Sequence, residues 1–156
     1  MKVTTFFRKY PNACPEAKEW CKQYDTMNDA WDQCDRPDWM LWALETMDYS
    51  DDSKLRKCAC RFVREVWELL TDERSRNAVE VAERYADGNA TDEELSAARD
   101  AASAAAGGAA WAAARTAAWA AARDAVWAAV ASVKQADIIR EIVGNPFDEY
   151  RERSKG

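Results

Sequence analysis

Apolar residues recur at intervals of three and four along most of the chain, the spacing that places side chains on one face of an α-helix. Short helices of this kind are predicted over about residues 15–24, after Thr26 and from Pro37 onward. These starts are favoured because threonine caps a helix N-terminus and proline suits its first turn. No window alternates apolar and polar residues in steps of two with β-branched enrichment, and only residues 3–7 could be extended.

Two longer helices are predicted in the middle of the chain. The first begins at Ser50 and the acids that follow it, and its apolar face carries Leu55, Cys58, Ala59, Phe62, Val66, Leu69 and Leu70. The second covers about residues 73–87, with Asp72 or Thr71 as its N-cap and Gly88 as a left-handed residue at its end. Thr91 and Glu94 then form the pattern T-x-x-E, a capping box that predicts another helix start.

An alanine-rich tract follows the capping box, and helix propensity dominates as far as about Val143. Gly144 and Pro146 end the helical pattern. Within the tract, an eight-residue repeat reads WAAARTAA from Trp111, WAAARDAV from Trp119 and WAAVASVK from Trp127. The tract predicts one long alanine-rich helix near the C-terminus, or a helix pair if Gly107-Gly108 kinks it.

These elements predict an all-α fold, a single-domain bundle of about six to eight helices. A length of 156 residues suits one domain. Within the single domain 1–156, we expect a short-helix portion over residues 1–49, a helical core that contains the repeat over 50–147, and a polar tail over 148–156.

Composition and charge narrow the function. The chain carries 28 acidic and 22 basic residues. Its net charge of −6 argues against a mainly electrostatic interaction with nucleic acid, and we expect no specific nucleic-acid partner. Histidine is absent, which removes the commonest general base and the commonest transition-metal ligand. The Gly107-Gly108 pair lacks the further glycine and lysine of a phosphate loop. We therefore expect a protein that is not an enzyme and uses no cofactor or metal.

The five cysteines are Cys14, Cys21, Cys34, Cys58 and Cys60, an odd number without a Cys-x-x-Cys pair. They favour neither a zinc site nor a disulfide scaffold, so we expect free thiols in packing positions. The N-terminal residues do not resemble a secretory signal. The longest uncharged part of the alanine tract, residues 101–114, is shorter than the ~20 residues of a membrane span. A cytoplasmic protein that does not enter the membrane is the expectation.

The repeat alternates tryptophan and arginine at four-residue steps, in the order Trp111, Arg115, Trp119, Arg123 and Trp127. Neighbours on this ladder lie one helical turn apart, and a guanidinium over an indole face gains roughly 0.5–2 kcal/mol. In one interpretation the indoles are core side chains among alanines, and Asp100 and Asp124 neutralise the arginines. In the other they line a pocket where rings stack on a planar base and guanidinium forks bind phosphates.

A second candidate is a basic strip on the helix that follows Ser50, formed by Lys54, Lys57, Arg61 and Arg64. The strip could hold an anion. Arg61 and Arg64 are therefore candidate ligand-binding residues in addition to the five residues of the ladder. Glu65 and Glu68 lie nearby in the sequence and favour the alternative of a solvated face.

Several sequence runs carry a resemblance to a known group of proteins. They are KLRKCACRFVREVWELLTDERSRNAVEVAERYADG, the following TDEELSAAR, the Ala/Trp/Arg repeat and the closing IIREIVGNPF. Together they cover about residues 54–147 and resemble alanine- and tryptophan-rich helical proteins of tailed phages and planctomycete-type bacteria, some of which are labelled immunity proteins. The resemblance implies a binding role in conflict between phage, host or competitor, in the host cytoplasm if the protein is phage-encoded.

Three hypotheses for function remain open at this stage. The first is a non-enzymatic anti-defence protein that sequesters a nucleotide-derived small-molecule signal on a Trp/Arg-lined helical surface. The second is an inhibitor or immunity protein that binds a host or toxin protein. The third is an oligomeric structural or accessory phage protein, and self-association into a homo-oligomer is expected in any of the three.

Overall fold

A computed structural model describes residues 1–104 and 124–148 of the chain. Its described residues form eight α-helices: α1 (Val3–Lys9), α2 (Pro15–Cys21), α3 (Met27–Gln33), α4 (Pro37–Thr46), α5 (Asp52–Arg64), α6 (Glu73–Ala86), α7 (residues 92–104) and α8 (Asp124–Val143). A 3₁₀ helix, Trp67–Leu69, lies between α5 and α6. Within these residues there is no strand, only an isolated bridge between Lys2 and Thr26. The all-α prediction is confirmed.

The local signals at the helix ends act as expected. Thr26 accepts a hydrogen bond from the Asp29 amide at 3.2 Å, and Pro37 occupies the first turn of α4. The capping box before α7 is reciprocal: the Thr91 amide donates to Glu94 at 2.8 Å, and the Glu94 amide donates to the Thr91 hydroxyl at 3.2 Å. The hydrogen bonds of Thr26 and of the Thr91–Glu94 capping box satisfy backbone amides that a helix N-terminus otherwise leaves unbonded.

The expectation that residues 3–7 could be extended is wrong, because these residues begin α1. Val3 and Phe6 lie one helical turn apart and are both buried. Helix formation places both side chains on the same face, which two-residue alternation would not do. Before the helix, Lys2 forms an isolated β-bridge with Thr26. The Val3 amide donates a hydrogen bond to the Asp25 carbonyl at 3.2 Å.

The apolar face predicted after Ser50 is wrong at its C-terminal end. Helix α5 stops at Arg64, and Val66 has φ −118° and ψ 23°, outside the helical region. The change of direction moves the following side chains off the buried face. Val66 is 46% exposed and Leu69 77% exposed.

Contacts group the chain into two compact units: Met1–Ser50 with Ser132–Gly156, and Asp51–Ala131. In the first unit, Phe6 and Phe147 are fully buried and meet edge to face, with ring centroids 5.6 Å apart. Arg140 ties α8 to the end of α3 by donating to the Trp31 carbonyl at 3.3 Å and to the Cys34 carbonyl at 2.5 Å. The prediction of a single domain stays a prediction.

In the second unit, α5 packs against α6. Cys58 and Cys60 are both buried, as expected for thiols in packing positions, whereas Cys14 in the first unit is exposed and that expectation is wrong for it. At one end of this helix pair the Ser53 hydroxyl donates to the Ala86 carbonyl at 2.7 Å, and Lys57 pairs with Asp87 at 2.7 Å. The two helices are therefore joined by polar contacts as well as by buried sulfur.

None of the helices in the described part of the chain is both long and apolar enough to cross a lipid bilayer.

A candidate anion-binding groove

Most of the tryptophan–arginine ladder lies outside the described residues. This applies to Trp111, Arg115, Trp119 and Arg123, and to the Gly107-Gly108 pair. The backbone of Trp127 belongs to α8, but its side chain also lies outside the described part. The ladder as a ligand-binding surface, and the long alanine-rich helix or helix pair, stay predictions.

Arg61 and Arg64 are the two candidates from the basic strip, and Arg64 already forms an ion pair with Glu83. Its guanidinium fork donates to the two oxygens of Glu83 at 2.8 and 2.5 Å. It also lies over the Trp67 ring, 3.9 Å from the centroid, and Arg76 lies 5.5 Å from the same centroid. The Arg64 hydrogen bonds hold the pKa of Glu83 below its ordinary value. Arg61 lies exposed on α5.

A groove in the second unit offers a better candidate site. It is lined by Arg56, Ser75, Ala78, Ala82, Leu95, Arg99, Ala102 and Ser103, and has a volume of about 430 Å³. The lining residues on α6 and on α7 recur at three- and four-residue steps, so each helix presents one face to the groove. Alanines on both faces leave space that larger side chains would fill.

The turn between α6 and α7 is closely specified by the sequence. Gly88 has φ +75°, a left-handed conformation that glycine adopts without steric cost, as the sequence predicted. The Asn89 amide donates to the Arg84 carbonyl at 2.7 Å. The Tyr85 hydroxyl donates to Asp92 at 2.6 Å across the turn, and this bond raises the pKa of Tyr85. These bonds fix the start of α7, which carries Arg99.

The charged residues among the described lining are both arginines. Within the part of the chain that the structure describes, neither Arg56 nor Arg99 forms an ion pair. Arg56 lies over the Tyr85 ring, 4.9 Å from the centroid, and this contact orients the guanidinium without neutralising it. In a chain of net charge −6, the groove is thus a local cationic site.

The arrangement suits a ligand with an anionic group and an apolar body. Guanidinium forks bind phosphate or carboxylate oxygens by paired hydrogen bonds, and serine hydroxyls add further donors. The alanines and Leu95 provide an apolar wall. A volume of about 430 Å³ lies within the usual range of small-molecule sites.

Sequence reasoning did not single out Arg56 or Arg99. Arg56 lies between two members of the basic strip, and Arg99 lies at the start of the alanine tract. The sequence offered one signal for Arg99: it follows Leu95 by one helical turn, so both side chains lie on the same face of α7. An arginine has or lacks an acidic partner according to how the helices pack. The spacing of residues in the sequence does not reveal that packing.

A second groove with tryptophan and arginine lies in the first unit. It measures about 580 Å³, and its lining includes Asn12, Arg36, Asp38, Trp39 and Trp42. Arg36 lies over the Trp39 ring, 4.4 Å from its centroid, and donates to both oxygens of Asp38 at 2.9 and 2.7 Å. These bonds lower the pKa of Asp38 and raise that of Arg36. Unlike Arg56 and Arg99, Arg36 therefore has an anionic partner.

The thiols do not form a reactive or metal-binding centre in the described residues. All five are free, and no group of three or more Cys, Asp or Glu side chains there could hold a metal ion. Burial raises the pKa of Cys34, Cys58 and Cys60, and raises that of Cys21 to about 11. These four thiols are therefore protonated near neutral pH and are poor nucleophiles.

Comparison with known proteins leaves the family open. No protein-family model matches the sequence, and no curated protein or solved structure is similar to it.

Proposed function

We propose that this protein is a non-enzymatic binding protein that sequesters a nucleotide-derived small molecule, with Arg56 and Arg99 holding its phosphate groups. The resemblance to phage and bacterial helical proteins supports a role in conflict, where removal of a nucleotide signal from solution blocks the response that depends on it. The ladder residues of the neighbouring alanine tract remain candidates for contacts with the rest of the ligand.

The observation that carries this proposal is the pair of arginines in one groove without carboxylate partners among the described residues. An arginine beside a carboxylate, such as Arg64 with Glu83, is already neutralised. Arg56 and Arg99 retain their charge for a ligand. Hydrogen bonds to charged groups contribute roughly 1.5–3 kcal/mol each, so loss of one arginine should weaken binding about tenfold to a hundredfold.

Binding without catalysis is the version that the residues support. The sequence has no histidine, and the described groove wall contributes guanidinium, hydroxyl and apolar groups. A serine needs an adjacent base to act as a nucleophile. The described lining holds none, so we propose retention of the ligand as the protein's action.

Isothermal titration calorimetry with cyclic nucleotides, cyclic dinucleotides and ADP-ribose tests the proposal. We expect saturable binding of at least one compound, and a loss of about tenfold to a hundredfold in affinity for both Arg56→Ala and Arg99→Ala. Arg74→Ala is the matched control, because Arg74 lies on α6, outside the groove lining, and is paired with Asp72 at 2.8 Å. Absence of binding across the panel, or equal losses in all three variants, contradicts the proposal.

A second candidate function is the binding of a protein partner by the groove of the first unit. Trp39 and Trp42 are only half-buried there, and Arg36 stacks on Trp39. Tryptophan and arginine are the residues that most often dominate the energy of protein interfaces. This function predicts a stoichiometric protein partner whose binding is lost in Trp42→Ala and kept in Arg99→Ala. A partner whose binding is unchanged in Trp42→Ala contradicts it.

A further inference from the structure

Tryptophan, arginine and a carboxylate form a three-residue cluster at two places in the described part of the chain. In the first unit, Arg36 lies over the Trp39 ring and donates to both oxygens of Asp38. The second unit has the same arrangement, formed by Arg64, Trp67 and Glu83. In each cluster the ring contacts the face of the guanidinium, and the carboxylate takes hydrogen bonds from its edge.

The C-terminal half of α4 carries the same ring and carboxylate without the arginine. Trp42 and Glu45 lie one helical turn apart, on the same side of the helix. Both line a groove of about 370 Å³, to which residues 9–12 also contribute. Glu45 is exposed, and it has no ion pair within the part of the chain that the structure describes. The groove therefore holds two of the three groups that make up the other clusters.

This smaller groove meets the groove of about 580 Å³ described above, because Asn12 and Trp42 line both. The larger groove also holds a free carboxylate. Glu16 is exposed on α2 and forms no ion pair with any described residue. Each groove thus offers one available carboxylate, and Trp42 lies in both.

The charge of the joined grooves favours a cationic partner. Their lining contains three acids, Glu16, Asp38 and Glu45, against two bases, Lys9 and Arg36. Arg36 and Asp38 offset each other. Lys9 lies over the ring of its neighbour in the sequence, 5.0 Å from the centroid. A polyanion such as a nucleic acid would meet two glutamates there, whereas an arginine would complete the missing cluster.

The ring and the groove wall are held in place by the fold. Phe6 is buried and meets the Trp42 ring edge to face, with centroids 6.3 Å apart, and Trp42 itself is half-buried. The Lys18 ammonium donates to the Pro11 carbonyl at 2.6 Å, which ties the wall segment to α2. A site that is already ordered loses less entropy when a partner binds.

The length of the joined grooves indicates how a partner segment would lie. Asp38 and Glu45 are seven residues apart in α4, or about 10 Å along the helix axis. Glu16 lines the same groove as Asp38. In an extended polyproline II segment, residues three positions apart lie on the same side and about 9 Å from each other. Two arginines at that spacing can therefore reach both grooves.

We propose that the joined grooves bind an extended segment of a partner protein through two of its arginines. One arginine stacks on Trp42 and bonds to Glu45, and the other bonds to Glu16. Arginine is specified over lysine because its planar guanidinium can stack on a ring and bond to a carboxylate at once. The proposal rests on the second function given above, the binding of a protein partner by the first unit.

Peptide titrations of the full chain, followed by the Trp42 indole N–H resonance, test the arginine assignment. The capped peptide GSRPPRSG carries two arginines three positions apart on an extended segment, and it should shift this resonance to saturation. GSKPPKSG has the same charge without planar forks and should bind at least about threefold more weakly. The uncharged GSQPPQSG should give no saturable shift.

Substitutions at exposed glutamates provide the second arm. Glu45→Gln and Glu16→Gln should each lower the affinity for GSRPPRSG by about threefold to tenfold, because each removes one carboxylate partner of an arginine. Glu19→Gln is the matched control: it removes the same charge from α2, at a position outside both groove linings that is already paired with Lys22. It should leave the affinity unchanged.

Absence of a saturable shift at Trp42, equal binding of the three peptides, or equal losses in Glu45→Gln and Glu19→Gln would overturn the proposal. The arginine assignment and the partner function can also fail separately. A protein partner that is lost in Trp42→Ala but kept in both Glu45→Gln and Glu16→Gln would overturn the arginine assignment alone. Peptide binding as expected, with a protein partner that is kept in Trp42→Ala, would contradict the partner function alone.

Discussion

The first unit buries rings, aliphatic side chains and sulfur atoms, with Phe6, Met40 and Phe147 at 0–1% exposure. In the described part of the second unit, the buried hydrophobic residues are Cys58, Cys60, Val81 and Ala98, which are small or medium-sized. There, the contact between α5 and α6 also uses the Arg64–Glu83 ion pair. The same helical architecture is thus stabilised mainly by apolar burial in one unit and partly by charge in the other.

This difference bears on where ligands of each kind can bind. A core of rings and sulfur disfavours a charged ligand, because a charge buried there would lack a counter-ion. A helix surface with alanines and charged side chains keeps arginines at the protein–water boundary, where Arg56 and Arg99 can take an anion. The proposed anion site therefore lies in the unit whose helix contact also uses charge.

The largest predicted effect is the loss of a core ring. Phe147→Ala should lower the free energy of unfolding by about 3–5 kcal/mol, because the residue is 0% exposed and contacts both Phe6 and Trp31. Urea denaturation followed by circular dichroism measures the change. Leu69→Ala is the control in the second unit, where the 77% exposed side chain should change stability by less than about 0.5 kcal/mol. A loss at Phe147 as small as that at Leu69 would remove the contrast between the units.

A backbone pair provides the next test. Gly88 in the second unit and Gly144 in the first have φ +75° and +79°, and an added Cβ would meet no atom within 4 Å at either position. Gly88→Ala and Gly144→Ala should therefore each cost only the left-handed strain of about 1–2 kcal/mol. Denaturation of the two variants should give similar losses. A clearly larger loss at one glycine would mean that the units differ in backbone tolerance as well as in side chains.

The smallest effect is expected at the ion pair of the second unit. Glu83→Gln should lower the free energy of unfolding by about 0.5–1 kcal/mol at pH 7, a modest value because both partners are one-third exposed. The Arg64 hydrogen bonds lower the pKa of Glu83 in the folded state, so the pair stabilises the protein above the ordinary pKa of 4.5. As the pH falls below that value and the carboxylate protonates, this stabilisation is lost.

The measurement is the stability difference between the unmodified chain and Glu83→Gln at pH 7 and at steps down to about pH 3. The difference should shrink toward acid pH. Glu68→Gln, a change at an exposed glutamate of the same unit, should give a small difference at every pH. A Glu83 difference that stays constant with pH would show that charge does not stabilise the α5–α6 contact.

The sequence predicted those parts of the fold that depend on neighbouring residues. Thr26, Pro37 and the Thr91–Glu94 pair mark helix starts, and Gly88 and Gly144 follow helix ends, as the local patterns indicated. Each of these signals acts within about four residues, so no tertiary information was needed.

The errors arose where distant contacts decide the conformation. Residues 3–7 are helical because Val3 and Phe6 are buried in the first unit. The backbone turn at Val66 exposes Leu69, although helical spacing would have continued the apolar face. Hydrophobic spacing gives the preferred face of a helix, but it does not give the point at which packing ends that helix.

The candidate sites were harder to predict than the fold. Sequence reasoning selected Arg64, whose fork is bonded to Glu83 nineteen positions away on another helix. Sequence reasoning did not select Arg56 or Arg99. These arginines are candidates for binding an anion because neither has a carboxylate partner among the described residues. The availability of an arginine for a ligand depends on acidic neighbours that only the folded chain brings close.

The central claim, that Arg56 and Arg99 together form an anion site, is tested most directly by the arginine Nε–H resonances of the full chain during titration with inorganic pyrophosphate. We predict saturable shifts at Arg56 and Arg99. The Arg36 and Arg64 resonances should not move, because Asp38 and Glu83 already occupy their guanidinium forks. Small shifts spread evenly over all arginines without saturation, or shifts confined to Arg36 and Arg64, would contradict it.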